Sequence, residues 1–86
     1  MTKEMNVLLR TSDVKNALGL SRATVYTRIK EGLLTPPIKI GKRASAWPRS
    51  EISTIIAARV RGVDDDVVRA LVCQLINDRQ AVESGV

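Results

Sequence analysis

Apolar positions along the 86-residue chain come in short runs whose spacing changes from helical to extended and back. Residues 1–6 are polar and read as frayed, and NVLLR (6–10) reads as a short extended or irregular lead-in. In TSDVKNALGL, Val14, Ala17 and Leu18 recur at i, i+3 and i+4, the spacing of one helical face. Thr11 or Ser12 is placed to cap this helix, Asp13 falls in its first turn and Gly19 ends it. After a tight GLS turn, Ser21 can cap a second helix from Arg22 to about Glu31, with Val25 and Ile29 as its inward seam and Gly32 as its stop. Two short helices joined so tightly form a helix-turn-helix pattern; two unrelated helices are the plainer alternative.

The next stretch, TPPIKIGKRASAWP, has two prolines that forbid a helix. Ile38 and Ile40 alternate with Lys39, GKR supplies a turn and ASAW can return as a second strand. Beside a helix-turn-helix this hairpin reads as a wing carrying Lys39, Lys42 and Arg43; a solvated loop is the alternative. Pro48 then opens a helix whose expected apolar stripe is Ile52, Ile55, Ile56 and Val60, closed by Gly62. A last helix runs from about Asp65 to Ala81. Its stripe of Val67, Val68, Leu71, Val72, Leu75 and Ile76 is too broad for a coiled-coil seam and needs a partner surface, on its own domain or on a second copy. The organisation expected is a DNA-binding domain over 7–62, a C-terminal helix over 63–82 for packing or dimerisation, and a disordered tail over 83–86. In the dimeric case, Val68, Leu71, Val72, Leu75 and Ile76 are the seam.

Charge sharpens this division. Residues 1–62 hold 12 Lys/Arg against 4 Asp/Glu, a net of +8, whereas residues 63–86 hold 2 against 5, a net of −3. A basic front with an acidic back points to a polyanionic partner, and nucleic acid fits better than a membrane because no segment pairs a long apolar face with a dense basic one. No run spans a bilayer and no secretory leader is apparent, so a cytoplasmic protein is expected. The chain has no His and one Cys, which excludes Cys/His zinc sites and His-based nucleophilic triads. Cys73 reads as a small buried hydrophobe, and Asp64, Asp65 and Asp66 read as helix-start carboxylates. The five glycines form no phosphate loop. A non-enzyme without cofactor or metal is expected.

With Val25 and Ile29 inward, Ala23 and Thr27 of the second helix point most directly outward, flanked by Thr24, Tyr26 and Lys30, with Arg22 and Arg28 at the shoulders. A face that is small in the middle and basic at its edges can sit deep in the major groove. Ala23 can meet a thymine methyl, Thr24 and Thr27 can use hydroxyl or methyl, and Arg22 or Arg28 can fork onto guanine. Tyr26 and Lys30 are placed for phosphates. Each has a plain structural alternative: partial burial for Tyr26, helix-start hydrogen bonding for Thr24, solvation for Lys30.

The landmarks LSRATVY, EGLLTPPIKIG, RASAWPRSEI and AARV, in this order over about residues 8–61, resemble the AlpA-type regulators of prophages and plasmids. The chain is also similar to KorC-type plasmid repressors in size and in its helix-turn-helix segment. The resemblance implies a mainly α, MerR-like winged helix-turn-helix domain that binds double-stranded DNA and regulates transcription on a mobile element. It places the recognition helix on Ser21 to Lys30 and the wing on Lys39 to Arg43, in a bacterial protein held at the nucleoid by DNA. One departure is Lys15, where many such motifs have alanine four residues before the turn glycine. A repressor acting as a homodimer on an inverted-repeat operator is the leading expectation, with no small-molecule ligand. An excisionase that bends DNA beside an attachment site is the alternative, and a module binding only another protein is a third, which the basic front argues against.

Overall fold

The computed structural model describes the backbone of residues 7–84 and the side chains of residues 7–79; the expected frayed segment 1–6 and the last two residues of the expected 83–86 tail lie outside the described residues. The element order is β1 (Leu8–Arg10), α1 (Thr11–Leu18), α2 (Arg22–Lys30), β2 (Ile38–Lys39), β3 (Ser45–Pro48), α3 (Arg49–Arg61) and α4 (Asp65–Ser84). The four helices accompany a small antiparallel sheet in the order β1-β3-β2, against which α1 and α3 pack, a winged helix-turn-helix arrangement.

The lead-in forms a true strand because it has a partner. Leu8, Leu9 and Arg10 pair with Pro48, Trp47 and Ala46, while Ile38 and Lys39 pair with Ala46 and Ser45 on the other side of β3. β1 runs straight into α1, so the chain is still extended at Arg10, which takes the cap position expected of Thr11 or Ser12. Asp13 reaches back from the first turn, its carboxylate accepting the Arg10 N–H at 3.1 Å. Gly19 closes α1 at φ 68°, a left-handed conformation that costs glycine little, and its N–H and that of Leu20 both return to the Lys15 carbonyl. Lys15 itself is half-buried.

Val14, Val25, Leu33, Leu34, Trp47, Ile52, Ile55, Val68 and Val72 form one core. α4 therefore packs on its own chain: Val68 is 0 % and Val72 4 % exposed. Leu75 and Ile76 pack against the same core, and Leu71 is half-buried. Cys73, expected inside, is exposed because Val68 and Val72 define the inward line of α4 and Cys73 lies about 100° around from Val72.

α3 is rotated relative to its expected stripe. Ile52 and Ile55 are buried, but Val60 is 81 % exposed, and Glu51 and Ala58 turn inward instead. In this orientation Arg79 of α4 grips the Glu51 carboxylate through two hydrogen bonds of 2.7 Å and donates a third, of 2.8 Å, to the Pro36 carbonyl. This fork joins α4 to α3 and to the segment leading into the wing. Removing one partner strands a buried charge. Arg79→Ala is expected to lower the unfolding free energy by about 2–3 kcal/mol, below the range for a fully buried pair because Arg79 keeps some access to water. Urea denaturation followed by Trp47 fluorescence measures this, and a loss under about 0.5 kcal/mol would show that the pair does not fasten α4.

Candidate nucleic-acid interface

α2 is set up by its first residue outside the helix. Ser21 is extended, and its hydroxyl oxygen accepts the Thr24 N–H at 3.2 Å, satisfying one of the free donors at the helix start. Val25 is fully buried and Ile29 packs on the core, which fixes the helix rotation. Ala23, Thr27 and Lys30 are exposed on the opposite face. At 3.6 residues per turn, Arg22 and Tyr26 share one flank and Thr24 and Arg28 the other.

The two flanks differ in what they meet. Arg22 and Tyr26 border an open polar concavity completed by Arg10, Thr11 and Ser12 from the β1–α1 junction and by Arg43 and Ser45 from the wing. Lys39 and Lys42 are exposed on the wing beside it, whose tip is closed by the Ile40 N–H donating to the Ala44 carbonyl at 2.9 Å. The structure does not bring Arg28 into this group. Arg28 is half-buried in an apolar groove with Leu18, Leu33, Ile55, Ile56 and Arg59. There it joins the field around Asp65. The hydrogen bond from Arg59 is the main force holding that carboxyl below the usual carboxylate range, and the charges of Arg69 and Arg28 act in the same direction.

Hydroxyl chemistry on the outward face is partly spent within the helix. The Thr27 hydroxyl donates to the Ala23 carbonyl at 3.0 Å, and the Ser21 and Thr24 hydroxyls lie 2.9 Å apart in a mutual hydrogen bond. What Ala23 and Thr27 present outward is therefore mainly methyl groups and an acceptor oxygen.

Charge is sorted in the same sense. Asp64 accepts the Val67 N–H, Asp65 pairs with Arg59 at 2.9 Å and Asp66 with Arg69 at 3.2 Å, so each acid of the cluster is engaged locally. Among the described residues, Arg10, Arg22, Lys30, Lys39, Lys42 and Arg43 enter no ion pair. Arg10 was not a candidate in the sequence, where it reads as the end of an apolar lead-in. Its position just before the TSD helix start, where anions are favoured, is the signal that marks it. Ser21→Ala should cost about 1 kcal/mol of stability, whereas Ser21→Asp keeps the cap; equal stability of both variants and the wild type in urea would show that this cap does not hold α2.

No helix among the described residues is long and apolar enough to cross a membrane. No solved structure matches the chain. The uncharacterized protein ORF88 of Enterobacteria phage P4 is 37 % identical over 54 residues, which cover 63 % of this chain and 61 % of the phage protein. The matched segment thus spans less than two thirds of that relative's length. A family model described as prophage CP4-57 regulatory protein (AlpA) matches residues 7–60, which run from β1 through α2 and the wing to the last turn of α3. The winged module and this match coincide, and the chain belongs to the AlpA family of prophage regulatory proteins.

Proposed function

We propose that the chain is a sequence-specific regulator that binds double-stranded DNA, with α2 in the major groove and the wing along the adjacent backbone. The observation that carries this reading is the set of unpaired cations on α2 and the wing, bracketing a small methyl-bearing face, while the acidic cluster Asp64, Asp65 and Asp66 is engaged at the start of α4. Phosphates would supply affinity, and base edges met by Ala23, Thr27 and the neighbouring side chains would supply specificity. Occupying a promoter needs only a tight site, so repression is the mode such a module can perform unaided.

A second reading, an excisionase acting at an attachment site, is favoured by one observation. Val68 and Val72, two of the five residues expected in a twofold seam, are buried in the chain's own core. A module that does not pair through α4 would suit direct repeats bound head to tail as well as an inverted repeat. Affinity selection of fragmented mobile-element and host DNA on the purified protein separates the two. Inverted repeats over promoters support a dimeric repressor, direct repeats beside a recombination site support an excisionase, and no enrichment over random DNA at moderate salt sinks the sequence-specific reading. Thr27→Ala is expected to change base preference, whereas Lys42→Ala should weaken all sequences about equally and lower the salt slope by about one. Equal shifts from both variants on selected and random DNA would count against α2 as the reading helix.

A further inference from the structure

We infer that Arg10, Arg22 and Arg43 form a single seat for one phosphodiester of the DNA backbone, so that Arg22 binds phosphate and does not read a base. This rests on the DNA-binding reading above and refines it. The three arginines come from three separate elements, the end of β1, the first residue of α2 and the wing, and line the same concavity. No acidic side chain lines it, and none of the three arginines has an ion-pair partner among the described residues. The nearby Asp13 carboxylate accepts the backbone N–H of Arg10.

The remaining border suits an anion of tetrahedral oxygens. Thr11 and Ser12 stand at the start of α1, where the first N–H groups lack helical partners and the helix dipole is positive. Tyr26, one turn beyond Arg22 on the same flank, adds a phenol that can donate to a phosphate oxygen. Three like charges facing one open space repel one another in the free protein, and a bound phosphate relieves that repulsion. Planar guanidinium forks bind phosphate oxygens in pairs, which favours arginine over lysine here. The flank position of Arg22, about 100° from Ala23, turns it away from the helix face that would enter the groove.

The test needs a duplex selected by the wild-type protein and a scrambled duplex. Arg10→Gln and Arg22→Gln, with folding checked by circular dichroism, should each weaken both duplexes about tenfold at moderate salt and lower the salt slope by about one, leaving the ratio of the two affinities unchanged. Replacing single phosphates of the selected duplex by neutral methylphosphonates should reveal one position whose loss matters to the wild type. That same position should matter little to both variants. If Arg22→Gln changes the ratio between selected and scrambled DNA, Arg22 reads a base and the seat is overturned. If Arg10→Gln leaves affinity and slope unchanged, or if the variants are sensitive to different phosphates, there is no shared seat, although DNA binding itself stands. A wild-type protein that binds neither duplex overturns the parent reading and the seat together.

Discussion

Trp47 holds the proposed DNA-facing surface in shape. It is fully buried in the central strand β3, opposite Leu9 of β1, and its indole N–H donates to the Thr35 carbonyl at 2.7 Å. Burying an indole contributes about 4–6 kcal/mol of transfer free energy, an upper figure for a core with no other buried aromatic. The hydrogen bond ties β3 to the segment that leaves α2. The same strand pairs with β1 on one edge and β2 on the other, so the β1–α1 junction and the wing are fixed in one register. Arg10 lies opposite Ala46, and Arg43 precedes β3 by two residues; the sheet thereby gathers cations that are 33 positions apart in sequence.

The elements closest to local rules were the most legible. The Ser21 cap, the Gly19 turn and the Pro-bounded hairpin are short-range effects of side-chain chemistry on the backbone, and the helices and wing fall where those signals put them. What the sequence left open were rotations and pairings that need a distant partner. Val60 looks like stripe, but α3 packs with Glu51, held by Arg79, and Ala58 turned inward in its place. Arg28 is placed at a shoulder of α2 by helical geometry, but only the packing of α3 shows that this shoulder faces the protein's own groove. Arg10 becomes part of the candidate interface through sheet pairing, a contact that periodicity does not encode. The broad stripe of α4 demanded a cover without naming it, and the cover is the chain's own core.

The uneven charge of the two halves also acquires a physical form. The acids of 64–66 are held by Arg59, Arg69 and a backbone N–H, and the buried acid Glu51 is held by Arg79. α4 thus contributes to the domain both the valines that seal the core and the arginine that neutralises its buried carboxylate. Among the described residues, Arg22, Lys30 and the wing cations enter no ion pair, and the attraction of a polyanion to them would weaken as salt screens it.

The two strand-to-helix junctions carry no spare residue: β1 ends at Arg10 and α1 begins at Thr11, β3 ends at Pro48 and α3 begins at Arg49. Strand side chains alternate between faces, so one added residue within β3 would turn Trp47 from the core to the opposite side. Chain length is therefore rigidly specified at these junctions. The wing tip between Lys39 and Ser45 is different: a backbone hydrogen bond, from the Ile40 N–H to the Ala44 carbonyl, closes it, and a change of length there would leave the register of the domain undisturbed.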